Sequence, residues 1–193
     1  MNIFVLDVDA KNAARYLCDK HVIKMIVESA QLLSTAHRVV DGERRVTLNA
    51  AYQMITVYDH PIPEMENVLY KAYSVYHPCC KWVRSSFGNY SWLYAHFVAL
   101  CIEYHHRYGK IHLTERKLIT ALKDPPEEIR ISSIEAFNVV AGGRPRYQVP
   151  PHEAVELYRE YYKKKFDDGM EMVWTNRAHP EWVRDWGRSV ESD

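Results

Sequence analysis

Two long segments of the sequence are mostly apolar yet carry one regular line of polar side chains, and they restrict the fold more than any other feature. The first, residues 18–33, is CDKHVIKMIVESAQLL. On a helix of about 100° per residue, the polar groups of this region fall within an arc of roughly 80°: His21, Lys24, Glu28, Gln31 and Thr35. A lysine or glutamate on a buried helix must be paired, hydrogen-bonded or next to a wet cleft. The line therefore predicts a helix that borders a cavity, and the alternative is a solvent-facing stripe held by i,i+4 pairs.

The second segment, residues 88–110, has the same construction. Its polar residues recur at spacings of seven, seven and four, which place them on one face of a helix: Asn89, His96, Glu103 and Arg107. Two buried helices with such lines meet most favourably when the lines face each other or a common ligand. The pattern therefore predicts a ligand cleft between the two helices.

Capping and breaking residues divide most of the remaining chain into helices. Asp9 and Asp19 are predicted N-caps, and Gly109 is a predicted helix end. The predicted helices span residues 10–18, 19–40, 64–73, 79–87, 88–108, 114–123 and 151–166, and residues 48–58 have helical composition. Residues 2–8 form a short apolar run without an obvious strand partner, and residues 142–145 are a predicted loop.

These elements predict an all-α fold, a single compact helical domain over residues 1–193. It has two long central helices and a short extended N-terminal segment. Residues 43–75 are interpreted as an insertion and residues 168–193 as a tryptophan-containing C-terminal tail.

Charge and cysteine content restrict the class of protein. The 25 basic and 25 acidic residues cancel, so any binding to DNA has to come from a local patch. The four cysteines include no C-x-x-C pair, which favours a reducing cytoplasm. The apolar N-terminal run is too short for a signal peptide or a membrane span, so we predict no membrane partner.

The segment between the two lines, residues 76–92, mixes basic and aromatic groups. Arg84 can hold a phosphate through two hydrogen bonds, and Trp82 or Tyr90 can stack on a base. His77 is a further candidate ligand-binding residue of this segment. Core packing is the alternative role for Trp82.

Acid/base chemistry is the reaction type that the first line favours. Burial raises the pKa of a glutamate and a neighbouring cation lowers it, so Glu28 beside Lys24 and His21, or Glu103 on the second line, is a candidate acid/base group. No metal-ligand spacing connects the candidate histidines and glutamates, so we predict neither a metal nor a cofactor. The chain also lacks a P-loop and a G-x-S-x-G motif.

Four motifs carry a resemblance to known families: NIFVLDVD, CDKHVIKMIVESAQLLSTAH, YHPCCKWVRSSFGNYSWLYAHF and CIEYHHRYGKIH. Together they resemble the helical domain that accompanies 5-hydroxymethyluracil DNA kinases, which is found mainly in bacteriophages. A more distant likeness is to helical proteins of the pyrimidine-dimer glycosylase type. The first resemblance implies a partner kinase or another DNA-modification enzyme and the cytoplasm of a phage-infected bacterium. The second implies an N-terminal amine, exposed by removal of Met1, that acts with a nearby glutamate; the bulk of Asn2 is expected to disfavour that removal.

Both resemblances imply recognition of DNA or a nucleotide that carries a modified pyrimidine. If the protein is catalytic, we expect glycosylase-like or base-modifying chemistry with Glu28, His21 and Lys24. The predicted ligand-binding residues are Gln31, His77, Trp82, Arg84, Asn89, Tyr90, His96, Glu103 and Arg107. The alternatives are a non-enzymatic protein that sequesters a nucleotide and an accessory interaction module.

Overall fold

The computed structural model describes residues 1–142, 144–184 and 186. These residues form seven α-helices, four β-strands and a short 3₁₀ turn: α1 Ala10–Tyr16, α2 Asp19–Val40, β1 Glu43–Leu48, β2 Met54–Asp59, α3 Pro63–Val68, α4 Pro78–Val83, α5 Phe87–Tyr108, α6 Leu113–Leu118, β3 Phe137–Ala141, β4 Arg144–Val149, α7 Pro151–Asp167 and the turn Glu181–Val183. Residue 143 of the predicted loop and residues 185 and 187–193 of the predicted tail lie outside the described residues. None of the described helices is both long and apolar enough to cross a membrane.

The two long helices are confirmed, and they pack against each other at the centre of the molecule. The Asp9 side chain caps α1 by accepting hydrogen bonds from the backbone of Lys11 and Asn12. Gly109 ends α5 in the left-handed conformation, with φ +63°, as its position predicts. The predicted cap at Asp19 is wrong, because Cys18 occupies the N-cap position and the Asp19 carboxylate accepts from Thr175 and Arg107 instead.

The all-α prediction is wrong, because two antiparallel hairpins account for about 12% of the residues. In the first, β1 pairs with β2 from Glu43 opposite Asp59 to Leu48 opposite Met54. We predicted helical composition for residues 48–58, yet the Asn49 side chain accepts from the backbone of Ala51 and Gln53 and closes a tight turn there. The turn chemistry and the β-branched residues on both sides outweigh a weak helical composition.

The second hairpin, β3 with β4, lies where we predicted only a loop and an unassigned segment. Phe137 and Val139 on β3 and Val149 on β4 are buried in the core, and Gly142 turns the chain with φ +64°. β3 packs on α4 and on α7, so this hairpin connects the C-terminal helix to the central helices. A two-stranded element of this kind is stable only through such packing.

The predicted short N-terminal segment is buried against the helices. Ile3, Phe4, Val5 and Leu6 are all at most 4% exposed. Phe4 has φ +55°, a conformation that a bulky residue rarely adopts, and its ring packs against His21 and three tyrosines of α7. The core contacts therefore hold a turn that directs the first two residues towards α2.

Candidate active site

The side chain of Glu28 lies in hydrogen-bond contact with the start of the chain. The backbone nitrogen of Asn2 donates a hydrogen bond of 2.9 Å to Glu28 Oε2. Lys24, one turn earlier on α2, places Nζ 3.4 Å from Glu28 Oε1. The carboxylate is 18% exposed, so solvent and a ligand can still reach it. Two of the predicted catalytic residues, Glu28 and Lys24, therefore lie together beside the nitrogen of residue 2.

The side chain of Asn2 holds that nitrogen in place. Asn2 Nδ2 donates to the carbonyl of Val140 at 2.7 Å, and the Tyr158 hydroxyl donates to Asn2 Oδ1 at 2.5 Å. Val140 belongs to β3 and Tyr158 to α7, so the C-terminal third of the chain fixes the residue whose nitrogen faces Glu28. Only the glycosylase likeness pointed to the nitrogen of residue 2, and nothing in the sequence pointed to Tyr158, because a contact across 156 positions leaves no local pattern.

His77 joins this arrangement to a neighbouring cleft. Burial lowers the pKa of His77, the Met1 ammonium lowers it further, and the Glu28 carboxylate raises it. The ring caps α4 by accepting from the backbone of Cys79. The cleft is lined by Thr56, Tyr58, Ala72, Ser74, Val75, Tyr76 and His77. An aromatic-walled cleft thus includes His77, which is an electrostatic neighbour of Glu28.

Arg84 is the predicted phosphate-binding residue that remains available. It is half-buried, and its buried Nη1 has no hydrogen-bond partner among the described residues. Burial lowers its pKa, and Tyr58 and Tyr76 of the cleft are among its electrostatic neighbours. Trp82 and Tyr90, the predicted stacking residues, are instead buried: Trp82 stacks on Phe137, and the Tyr90 hydroxyl donates to the carbonyl of Leu122.

The other members of the first line are directed elsewhere. His21 is buried, and its Nδ1 lies 2.6 Å from the Tyr162 hydroxyl. Burial, with smaller effects from Lys165 and Lys24, lowers the pKa of His21 to about 4, so its ring is neutral at pH 7. Gln31 donates to the carbonyl of Lys71 at 2.7 Å. Lys24 and Glu28 are therefore the two members of this line that lie near the start of the chain. Gln31 and Thr35 are hydrogen-bonded to each other further along α2.

The second line is engaged with other parts of the protein. Arg107, with no exposed side-chain surface, donates to Asp19, Glu103 and the carbonyls of Arg15 and Leu17. Glu103 also accepts from Arg177, and His96 Nδ1 lies 3.0 Å from the carbonyl of Ala10. Asn89 bridges the carbonyl of Trp82 and the backbone nitrogen of Glu135. The structure therefore does not bring this line to Glu28, and ligand binding by its members stays a prediction.

The buried histidines predict that the protein loses stability in acid. Burial lowers the pKa of His21 and of His96 to about 4, from 6.5. Between these values the unfolded chain binds more protons than the folded one, so the free energy of unfolding falls as the pH drops from 6.5 towards 4 and is fully retained above 6.5. Each histidine contributes about 3 kcal/mol to this loss.

Urea unfolding followed by circular dichroism at pH 7.5, 5.5 and 4.5 measures this loss. The matched control is His152→Gln, because His152 is exposed and its removal is expected to leave the acid response unchanged. Equal unfolding free energies at pH 7.5 and 4.5 would contradict the lowered pKa of His21 and His96.

Comparison with known proteins adds one finding. Residues 1–116 match the family model described as "Pyrimidine dimer DNA glycosylase", which covers more than half of the 193 residues. No curated protein and no solved structure matches the chain. The matched region contains Asn2, Lys24, Glu28, His77 and Arg84, whereas Val140 and Tyr158 lie beyond it.

Proposed function

Because the chain belongs to the pyrimidine dimer DNA glycosylase family, we propose that it removes a damaged or modified pyrimidine from DNA. The nucleophile is the nitrogen of residue 2, and Glu28 is its acid/base partner. The observation that carries the proposal is the 2.9 Å hydrogen bond from the nitrogen of Asn2 to Glu28 Oε2. Covalent catalysis usually needs a nucleophile and a base within hydrogen-bond distance of each other, and a third group that orients them.

The reaction needs the nitrogen of residue 2 as a free amine, so the proposal requires that Met1 is removed even though the bulk of Asn2 is expected to disfavour that removal. This nitrogen forms a bond to C1′ of the deoxyribose while the bond from C1′ to the base breaks. The electron pair leaves with the base, which takes up a proton from water. The attacking nitrogen passes one of its protons to Glu28, which returns it to the ring oxygen as the sugar opens to a protonated imine. Lys24 Nζ, 3.4 Å from Glu28 Oε1, is the ion-pair partner of this carboxylate.

The surroundings of Glu28 suit a DNA strand with one base turned out of the stack. Arg84 and the exposed Lys24 supply positive charge for neighbouring phosphates. Tyr76 is exposed at the cleft and offers a face for stacking. Turning a base out costs a few kcal/mol, and stacking on an aromatic ring offsets a comparable amount. DNA is therefore the partner in this proposal.

Reductive trapping tests the proposal with two preparations that differ only at the N-terminus. In one, cleavage of a removable leader leaves Asn2 first; in the other, Met1 is retained, as intact mass confirms. Both are mixed with a DNA duplex that contains one pyrimidine dimer, in the presence of borohydride. We expect a covalent protein–DNA adduct only with the first preparation, because borohydride reduces the imine to a stable amine, and peptide mapping should locate it at residue 2.

Equal trapping in both preparations, or an adduct located on a lysine, would contradict the role of this nitrogen. A duplex with 5-hydroxymethyluracil in place of the dimer serves as a second substrate, since the likeness to domains that accompany 5-hydroxymethyluracil DNA kinases predicts recognition of this base. The partner kinase and the phage-infected cytoplasm stay predictions. Stabilisation by a free nucleotide that is recovered unaltered would favour the alternative of a sequestering protein.

A further inference from the structure

A second group of ionisable side chains lies at the other end of α2, apart from Glu28. His37 Nδ1 is 3.8 Å from Asp41 Oδ2, and His60 Nε2 is 3.9 Å from the same oxygen. The three ligand atoms all lie within 4.8 Å of one another. His37 and His60 are buried and Asp41 is nearly so. His37 comes from the last turn of α2, Asp41 from its C-cap, and His60 from the segment that follows β2.

The Tyr90 hydroxyl lies between the carbonyl of Leu122, 2.9 Å away, and His37 Nε2, 2.8 Å away. When the hydroxyl donates its single hydrogen to Leu122, it accepts from Nε2, and the Nδ1 lone pair of the neutral ring is free to bind a cation. Nδ1 is buried, has no partner at normal hydrogen-bond distance among the described residues, and lies 3.8 Å from the Asp41 carboxylate. A cation between these two atoms is attracted to both.

Asp41 and His60 complete a set of donors around the same point. The backbone nitrogens of Glu127 and Glu128 donate to the Asp41 carboxylate and fix its orientation. His60 Nε2 is also buried without a hydrogen-bond partner in the described part of the chain. His60 Nδ1 accepts a long hydrogen bond, 3.2 Å, from the nitrogen of Ile62. Binding a cation through Nε2 moves the ring proton to Nδ1, so the hydrogen bond from Ile62 is lost and the two N–H groups have to move apart.

We propose that His37, Asp41 and His60 bind one divalent transition-metal ion of the zinc class. Two imidazoles and one carboxylate are ligands that zinc prefers, and three protein ligands leave a fourth position for water. Zinc bonds of about 2.0–2.1 Å place tetrahedral ligand atoms about 3.4 Å apart. The two separations from Asp41, 3.8 and 3.9 Å, therefore need to close by a few tenths of an ångström. The two histidine nitrogens, within 4.8 Å of each other, need to close by up to about 1.4 Å, which a small rotation of the rings supplies. The Tyr90 hydroxyl and the Glu127 and Glu128 amides orient ligands from outside, as partners of metal ligands commonly do.

The ion joins three parts of the chain that are distant in sequence. It connects the end of α2, the end of the β1–β2 hairpin and, through Asp41, the segment at residues 127–128. The Glu28 chemistry needs no such ion. We therefore assign the site to stabilising the fold, and zinc is expected to raise the melting temperature.

The test uses the full, untagged chain freed of metal by a chelator. One equivalent of zinc is added, loosely held metal is removed by gel filtration, and elemental analysis gives the metal content. We expect about one zinc per chain and a higher melting temperature. His60→Gln and Asp41→Asn are expected to weaken zinc binding by more than the roughly 10–100-fold typical of removing a residue that only orients a ligand. The matched control, His152→Gln, should bind zinc like the unaltered protein.

A wild-type protein that retains no zinc, or a folded His60→Gln variant with unchanged zinc content, would overturn the proposal. Cobalt provides a readout that does not depend on any variant. Cobalt bound by imidazole and carboxylate gives visible ligand-field bands without the thiolate charge-transfer band of a cysteine site. Such a thiolate band would assign the metal to the buried cysteines and also overturn the proposal.

Discussion

Glu28→Gln is expected to reduce the rate of imine formation by roughly 10²–10⁴-fold, the contribution typical of an acid/base group. The amide keeps the size of the side chain and an oxygen that can still accept the hydrogen bond from the nitrogen of Asn2. It cannot accept the proton that the attacking amine loses or return it to the sugar. Single-turnover borohydride trapping on dimer-containing DNA, with Asn2 as the first residue, measures the rate.

The substitution should leave folding nearly intact, because the carboxylate is partly exposed and its Lys24 partner is mostly so. Glu156→Gln is the matched control, since Glu156 is exposed on α7. Its trapping rate should equal that of the unaltered protein. If Glu28→Gln traps DNA as fast as this control, Glu28 is not the acid/base group and the nitrogen of residue 2 loses its assigned partner.

The helices could be predicted from the sequence because their signals are local. The apolar periodicity of residues 19–40 and the glycine at 109 each act within a few positions, and both predictions are confirmed. The starts of the four shorter helices were predicted to within one residue, but α3, α4 and α6 end four or five residues earlier than predicted. The hairpins were missed because strand formation depends on packing partners, such as α4 and α7 for β3.

The part of the candidate site that depends on local spacing could be predicted from the sequence, and the part that depends on distant contacts could not. Glu28 and Lys24 lie one turn apart, so the sequence could place them together. The hydrogen bonds that position Asn2 come from β3 and α7, and no local sequence pattern predicts them because these elements are distant in sequence. Buried polar residues on α5 suggested a ligand, yet Arg107 and Glu103 are paired inside the protein. A polar line on an apolar helix thus indicates burial with partners, and only the structure identifies those partners.

Arg38→Met is expected to lower the free energy of unfolding by about 3–5 kcal/mol, the cost typical of breaking a buried ion pair. The Arg38 side chain has no exposed surface, and it donates to Glu66 and to four backbone carbonyls. Methionine keeps the aliphatic stem but leaves those acceptors without their donor. Arg45→Met is the matched control, because Arg45 pairs with Asp59 at the surface, and there the loss should stay within about 1 kcal/mol. Urea unfolding at pH 7 compares the two variants, and equal losses would show that the guanidinium bonds of Arg38 contribute no more than a surface pair.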